Sequence, residues 1–427
     1  MAKDKIICGI DVGSSKIATL IATVGEDDRI NLIGVAATTS KGVKKGQIVD
    51  IEEAVEAVTE SVESAERMAG YSISSAFVSM GGPQIESINS HAVVAVAEPA
   101  GEIKESDILR VNDAARAIAL PSSREILHVI PRTFTVDGQE GIRDPIGMTG
   151  IRLETDTHII SGATTSIRNL AKSIGMVGVN VDELVFSGIA SSQAVLTDTE
   201  KELGVVLVDI GGETTDIVIF VDGAIAYSAV IPLGGRHVTS DIAVGLRISL
   251  ESAEKVKQYL AKPIRQPVIP EGEREPKKKE EETLDIKAIG ITEDIQKISR
   301  KAVTESIIRP RLQEVFKYIG KEIKKSGFGS QVPSGLVLSG GGSLTVGALD
   351  QAKYVLGFPA RLGKVEGFIG LTDEIDSPAF AAVAGLVLYG TRQTGSSSEM
   401  SFPVIGRTLP LKAVTQKVTD LIKSFLP

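Results

Sequence analysis

The stretch GVVLVDIGGETTDIVIF, residues 204–220, decides the fold of this chain. Two short apolar runs, 205–208 and 217–221, are rich in valine and isoleucine and predict two neighbouring buried strands. Between them, 209–216 holds two glycines, which let the backbone approach an anion closely and turn successive N–H groups toward phosphate oxygens. Asp209 at its start is suited to hold a hydrated divalent cation beside that anion. The alternative is an ordinary hairpin with a glycine-rich turn.

A second hairpin of the same design lies near the N-terminus, in IICGIDVGSSKIATLIA, residues 6–22. Asp11 precedes its small-residue turn as Asp209 precedes the other, 198 positions later (209 − 11). The repetition predicts a duplicated domain with phosphates bound between the halves. A third glycine cluster, GLVLSGGGSLTVGA at 335–348, follows an apolar run and opens a predicted helix, which suits a backbone that passes close to a nucleoside.

In this order the three clusters resemble the phosphate and adenosine motifs of the actin, Hsp70 and sugar-kinase superfamily. The resemblance implies an α/β, actin-like ATPase fold of two duplicated RNase-H-like halves. Further stretches resemble its two connecting helices, its nucleoside-binding helix and the segment before that helix: SGIASSQAVL (187–196), SPAFAAVAGLVLYG (377–390), ESAEKVK (251–257) and PLGG (232–235) with TSDIA (239–243).

The resemblance implies ATP and Mg²⁺ as ligands. It places the phosphates between the two hairpins, the magnesium at two aspartates, and the nucleoside between a helix and the third glycine cluster. The phosphate-binding residues would be Gly13, Ser14, Ser15 and Lys16 on one side and Gly211, Gly212, Glu213, Thr214 and Thr215 on the other. The two magnesium-binding aspartates would be Asp11 and Asp209. The nucleoside would contact Glu254 and Lys257 together with Gly340, Gly341, Gly342 and Ser343. Gln193 matches the water-orienting glutamine of actin, which leaves open whether ATP is hydrolysed or merely bound. Because phosphoryl transfer needs little beyond positioning and charge neutralisation, at most slow hydrolysis is expected.

Composition narrows the class of protein. The chain has 427 residues, a net charge of −9 and an isoelectric point near 5.3, which disfavours a general nucleic-acid role. Its single cysteine, Cys8, excludes an intrachain disulfide and indicates a reducing compartment. Residues 1–5 lack the apolar region of a signal peptide and no run reaches the length of a membrane span. We expect a cytoplasmic protein.

An insertion interrupts the first half. Within it, 101–120 predicts one amphipathic helix and 126–138 a strand. The turn-rich ribbon DGQEGIRDPIGMTGIRLE at 137–154, together with 188–217, resembles the FtsA family of bacterial cell-division proteins, whose first half carries an extra subdomain here. This resemblance extends from Ile7 to the last helix.

The resemblance predicts the following division of the chain: first half 1–83, 162–194 and 373–392; inserted subdomain 84–161; second half 195–231 and 320–372; helical subdomain 232–319; linker 393–408; and amphipathic helix 409–427. Within the helical subdomain, 261–282 is rich in Pro, Lys and Glu and predicts a solvated, mobile loop. Residues 294–327 predict a long helix with a break near Pro310. In this family the subdomain receives the C-terminal tail of the tubulin-like protein FtsZ. Arg311 matches a basic position there, and the alternative is an ordinary exposed helix arginine.

The C-terminal tail predicts a second function. After a Ser-rich linker, 411–425 forms a narrow apolar stripe with lysines outside it, as in a helix that lies flat on an anionic membrane. The stripe consists of Leu411, Val414, Val418, Leu421, Ile422 and Phe425. FtsA proteins end in such a membrane-targeting helix, and the alternative is a terminal helix docked on its own domain.

Together these features predict an ATP-dependent, actin-like polymer on the inner face of the cytoplasmic membrane. It would anchor FtsZ filaments there and recruit later division proteins. A small-molecule kinase would need a catalytic base and a substrate pocket, and nothing in the sequence marks either. An Hsp70-like chaperone would need a substrate domain where residues 393–427 alone remain. A scaffold like the type IV pilus protein PilM shares the core but should lack the amphipathic tail.

Overall fold

We analysed a computed structural model of the chain. It describes residues 5–25, 27–97, 101–118, 120–262, 283–284, 289–291, 293 and 298–395. The chain separates into two units, 1–391 and 392–427. The predicted loop beyond residue 262 and the predicted membrane helix lie outside the described residues.

The strands, numbered in chain order, are β1 Lys5–Val12, β2 Lys16–Val24, β3 Ile30–Thr39, β4 Val43–Lys44, β5 Gln47–Ile48, β6 Ser75–Met80, β7 Glu86–Ala95, β8 Arg124–Val136, β9 Gln139–Ile142, β10 Arg152–Ala163, β11 Asn180–Phe186, β12 Val205–Ile210, β13 Thr215–Val221, β14 Ala224–Ile231, β15 Leu336–Ser339, β16 Ala360–Leu362 and β17 Phe368–Gly370.

The α-helices are α1 Ile51–Ala69, α2 Glu105–Arg116, α3 Thr164–Met176, α4 Ser187–Val195, α5 Asp198–Leu203, α6 Gly235–Leu246, α7 Leu250–Ala261, α8 Arg300–Val303, α9 Arg309–Ser326, α10 Ala348–Leu356 and α11 Ala381–Gly395. Short 3₁₀ turns lie at Gly329–Gln331, Gly341–Leu344, Thr372–Ile375 and Pro378–Phe380, and a π-helical turn at Thr304–Ile308. Because α11 runs to Gly395, it includes the first three residues of the predicted linker, 393–395.

Two sheets confirm the duplicated fold. One has the strand order β11-β6-β1-β2-β3-β17 and the other β14-β13-β12-β15-β16. In both, three antiparallel strands are followed by two parallel ones, so β3-β2-β1-β6-β11 corresponds position by position to β14-β13-β12-β15-β16. Every residue of β12 and β13 is buried, because helices and the neighbouring half cover both faces of the sheet.

One predicted boundary is wrong. Residues 368–370 were assigned to the second half, but β17 pairs in parallel with β3 in the first sheet. β3 would otherwise leave an open sheet edge, and the returning chain covers it on its way to α11.

Local signals at both ends fix the first helix, α1. Asp50 caps α1 by accepting a hydrogen bond from the Glu53 amide at 3.1 Å, and Gly70 ends it with a φ of +65°. The two connecting helices, α4 and α11, cross at Gly385, where a side chain would lie 1.7 Å from the Ala190 carbonyl oxygen. The small residues of α11 therefore permit a close backbone crossing.

The insertion forms its own four-stranded sheet, β7-β10-β8-β9, with α2 packed on one face. Helix α2 covers 105–116, which is shorter than the predicted 101–120, because the chain at Glu102 instead forms a β-bridge with Thr149. Strand β8 begins at Arg124 and includes most of the predicted strand.

The helix predicted at 294–327 is interrupted before Pro310. A π-helical turn at 304–308 separates α8 from α9. Proline has no amide hydrogen to donate to the preceding turn, so the hydrogen-bonding pattern widens there. In the described ranges, no helix is both long and apolar enough to cross a membrane.

Candidate functional site

The two glycine hairpins close in the same way. The Gly13 amide donates to the Lys16 carbonyl at 3.1 Å, and the Gly211 amide donates to the Thr214 carbonyl at 2.8 Å. In each hairpin the aspartate lies two residues before this glycine. The local structure repeats the duplication seen in the sheets.

The fold brings the two hairpins into contact. A methyl group at Gly212 would lie 2.8 Å from Cβ of Ser15, so no side chain fits at this position without a shift. A link beside it joins the halves, because the Lys45 amide donates to Glu213 Oε2 at 2.7 Å. The glycine therefore permits the two hairpins to approach each other closely.

Helix α6 orients the second hairpin. Its Gly235 and Arg236 amides donate to the carbonyl oxygens of Gly211 and Gly212 at 2.9 and 2.7 Å. The C=O and N–H of a trans peptide point in opposite directions, so the N–H groups of Gly212 and Glu213 face away from α6. These two amides donate to no acceptor in the described chain. They are free to bind an anion.

The first hairpin offers matching donors. The amides of Ser14 and Ser15 likewise have no acceptor among the residues described, and the Ser14 hydroxyl oxygen accepts from the Gly46 amide at 2.8 Å. The Lys16 ammonium forms no ion pair there and lies 3.6 Å from the centre of the Phe380 ring. Burial lowers the pKa of Lys16, against the opposing charges of Asp11 and Asp209. Within the described residues, amides without an acceptor and an ammonium without an ion pair on the same hairpin suit the binding of a polyphosphate.

Half-buried Asp11 and buried Asp209 lie near this ammonium, with buried Asp216 next to them, and a serine holds each of the three carboxylates. Ser79 donates to Asp11 at 2.6 Å, Ser191 donates to Asp209, and Ser187 donates to Asp216 at 2.5 Å. Burial is the largest effect on all three and raises the pKa of Asp11, that of Asp209 to about 6 and that of Asp216 to about 8.

This carboxylate set fits a hydrated cation better than a cation held by protein alone. Oδ1 of Asp216 is buried without a hydrogen-bond partner, and the pKa values show that the site resists three negative charges. Over the part of the chain described, no three His, Cys, Asp or Glu side chains are arranged to bind a metal ion by themselves. Mg²⁺ at Asp11 and Asp209 would therefore complete its shell with water and phosphate oxygens.

Asp216→Asn is expected to stabilise the magnesium-free protein increasingly as the pH rises. A carboxyl whose folded pKa is raised binds its proton more firmly in the native state, so stability falls from the unfolded pKa near 4 up to about 8. The asparagine variant does not lose this stability, so its free energy of unfolding rises relative to the wild type by at most about 1.4 kcal/mol for each pH unit. Urea unfolding with EDTA at pH 5, 6, 7 and 8 measures the difference, and a pH-independent difference would contradict the prediction.

The predicted nucleoside residues also meet. Lys257 Nζ contacts Glu254 Oε2 at 2.7 Å, the Thr239 hydroxyl at 2.8 Å and the Gly235 carbonyl at 3.2 Å. Burial alone would raise the pKa of Glu254, but Lys257 and Thr239 hold it below its usual range. Helix α7 is thereby tied to the start of α6.

The third glycine cluster packs against the second hairpin's strand. A side chain at Gly340 would lie 2.2 Å from Asp209 Oδ1, and one at Gly342 2.4 Å from the Ile210 side chain. The cluster forms the 3₁₀ turn 341–344, in which the Ser343 hydroxyl donates to the Gly340 carbonyl at 2.7 Å. The helix that it was predicted to open, α10, starts later, at Ala348.

Some predicted contacts have structural partners instead. The Thr215 hydroxyl donates to the Leu233 carbonyl at 2.7 Å, so its proton is not free for phosphate. Gln193 is half-buried on α4, two residues beyond Ser191, and residues so spaced do not share a helix face. Its catalytic role stays a prediction.

Arg311 is neither exposed nor unpaired. Its guanidinium bonds Asp241 through two nitrogens, at 2.6 and 2.9 Å, and also bonds Glu314. The side chain is 25% exposed. Hydrogen bonding to Asp241 raises the pKa of Arg311.

Sequence reasoning missed the serines that hold the aspartates, and Phe380. Ser187 and Ser191 lie in the stretch interpreted as a connecting helix, and Ser79 in a predicted strand, where nothing local marks a polar role. Asp216 was visible, since it ends the glycine turn as Asp209 begins it. Cys8 is buried in β1, and burial raises its pKa.

Solved structures share the fold at low sequence identity. PilM in the PilM–PilN type IV pilus biogenesis complex superposes with a TM-score of 0.62 at 17% identity, over 90% of this chain and 98% of that chain. MreB 5 of Spiroplasma citri, bound to AMPPNP, superposes with a TM-score of 0.53 at 13% identity, over 93% and 100%. These likenesses show an actin-like fold.

Sequence comparison is more specific. Residues 82–161 match the family model described as the SHS2 domain inserted in FtsA, and 206–385 match the one described as cell division protein FtsA. The cell division protein FtsA of Pseudomonas aeruginosa is 38% identical over 397 residues, which are 93% of this chain and 92% of the relative. With its duplicated halves, its inserted subdomain and these matches, the chain belongs to the FtsA family of actin-like cell-division proteins.

Proposed function

We propose that the chain binds MgATP between its two halves and acts in cell division as a nucleotide-controlled polymer. One observation carries the proposal: hairpins from both halves meet at Gly212 and Ser15, and in the described part of the chain neither the turn amides of the two hairpins nor the Lys16 ammonium have an acceptor. A ligand that accepts hydrogen bonds from both halves favours the arrangement in which the two hairpins are in contact.

Each group has a distinct part in this binding. The amides of Ser14, Ser15, Gly212 and Glu213 and the Lys16 ammonium bind phosphate oxygens, since burial strengthens such hydrogen bonds. Ser79 and Ser191 fix Asp11 and Asp209, which would hold a hydrated Mg²⁺. The ion would supply positive charge against the phosphates and carboxylates. Glu254 and Lys257 border the nucleoside.

The polymer would join FtsZ to the inner face of the cytoplasmic membrane at the division site and recruit later division proteins. Arg311 would meet the acidic FtsZ tail already fixed in orientation by Asp241. The helix at 411–425 would bind anionic lipid. One such helix binds weakly, and many on one filament bind by avidity.

Sedimentation with anionic liposomes tests both parts, with ATP, ADP or no nucleotide, for the full chain and a chain ending at Thr408. We expect the full chain to pellet most with ATP and the shortened chain to stay in the supernatant. If pelleting does not depend on the tail, the helix would be interpreted as one that packs on its own domain. A PilM-like scaffold or a kinase would then be favoured.

Leu421→Lys is expected to release the full chain from liposomes without changing its nucleotide affinity. The substitution puts a charge in the middle of the apolar stripe, where it must be desolvated. Gln416→Lys is the matched control, because at 100° per residue it lies opposite the stripe and adds the same charge. Equal pelleting of both variants would show that the stripe does not face lipid.

A further inference from the structure

The Lys16 ammonium is held by an aromatic ring. Its nitrogen lies 3.6 Å from the centre of the Phe380 ring, 364 positions further along the chain (380 − 16). Within the ranges that the structure describes, no carboxylate is within ion-pair distance of this nitrogen and no acceptor takes a hydrogen bond from it.

A ring has an advantage over a carboxylate at this place. The negative face of an aromatic ring attracts an ammonium by its quadrupole and carries no net charge. An ammonium has three donors, and a ring on one side leaves the others for a ligand. A carboxylate would neutralise the lysine and compete with phosphate.

The position of the ring depends on the nucleoside side of the site. Phe380 ends the 3₁₀ turn Pro378–Phe380 and packs on the core of the first half. The Pro378 carbonyl accepts hydrogen bonds from the Gly340 amide at 3.0 Å and the Ser339 hydroxyl at 3.3 Å. The ring therefore connects the lysine of the first hairpin to the third glycine cluster.

We propose that Phe380 is a positioning residue for nucleotide binding, whose ring holds the Lys16 ammonium toward the phosphates while leaving its donors free. The inference rests on the proposed function. It assigns Phe380 no contact with the ligand, so its effect must depend on the phosphates and on Lys16.

Phe380→Leu keeps an apolar side chain and removes the ring face. We expect it to weaken MgATP binding about 3- to 30-fold and to leave adenosine binding within about twofold, since adenosine has no phosphate for Lys16 to bind. Phe380→Tyr keeps an aromatic ring and should therefore retain the wild-type affinity for MgATP. Titration calorimetry of the full chain with each ligand measures these values.

A double-mutant cycle with Lys16→Met separates positioning from general damage. If the ring acts through Lys16, Phe380→Leu should cause no further loss of MgATP affinity once the lysine is gone. Phenylalanines with one, two and three ring fluorines at position 380 should lower the affinity stepwise at nearly constant shape, because fluorine weakens the negative face.

Phe328→Leu is the matched control, since its ring also faces a cation, Arg132 at 5.2 Å, away from the hairpins. It should leave MgATP affinity unchanged. Provided that the wild type binds MgATP, any of three results would overturn the role of Phe380. These are an equal loss of affinity for adenosine and MgATP in Phe380→Leu, additive losses of MgATP affinity in the double-mutant cycle, or an MgATP affinity that does not change with ring fluorination. A wild type that fails to bind MgATP would overturn the proposed function itself.

Discussion

Gly385→Ala is expected to lower the free energy of unfolding by at least about 3 kcal/mol, although alanine is the better helix former. The added methyl carbon would lie 1.7 Å from the Ala190 carbonyl oxygen and 2.3 Å from the carbonyl carbon. Both clashing atoms are backbone, so no side-chain rotation relieves the overlap and the helices α4 and α11 must separate. Urea denaturation followed by far-UV circular dichroism measures the change.

The same substitution at Gly175 is its control. Gly175 lies inside α3, is exposed, and has nothing within 4 Å of where a side chain would begin. There alanine should stabilise the protein by about 0.5–1 kcal/mol through helix propensity. If both variants gain stability, the close crossing of α4 and α11 is not as the structure shows.

Gly212→Asp is expected to weaken MgATP binding at least about 100-fold, which is near 2.7 kcal/mol, while the protein stays folded. Its Cβ would lie 2.8 Å from Cβ of Ser15, so the hairpins must move apart and their amides no longer converge. The added carboxylate also repels phosphate and the buried aspartates. Because Gly212 lies in the half-buried turn at the end of β12 and β13 and not in the strands themselves, we expect the hydrophobic core to be retained.

Titration calorimetry with MgATP measures the loss, and the unfolding curve verifies the fold. Gly175→Asp adds the same charge on an exposed helix and should keep the wild-type affinity within about twofold. Asp209→Ala should also abolish binding. Unchanged affinity in both Gly212→Asp and Asp209→Ala would show that nucleotide binds elsewhere.

Much of the fold follows from local patterns. The caps of α1 at Asp50 and Gly70 and the alternation of strands and helices depend on neighbours in the chain, which a sequence displays directly. The two hairpins were predictable for the same reason, since an aspartate two residues before a glycine is a local signal. Which ligand to expect, and which family to compare, followed from the resemblance of these hairpins to known motifs.

What the sequence left undetermined depends on contacts between distant positions. Nothing in the sequence indicates that 368–370 joins the first sheet, because a stretch of three residues with one phenylalanine has no marked preference for the first sheet or the second. Likewise, serines that hold buried aspartates look like any other serines in a helix or a strand until the strands are assembled.

By itself, then, the sequence determined the duplicated architecture, the glycine turns and the aspartates of the site, since these follow from local backbone chemistry and hydrophobic period. The tertiary structure alone decided that Gly212 touches Ser15, that Ser191 holds Asp209 and that Phe380 lies over Lys16. Each of these contacts joins segments that no local periodicity relates, and packing of the two halves brings them together.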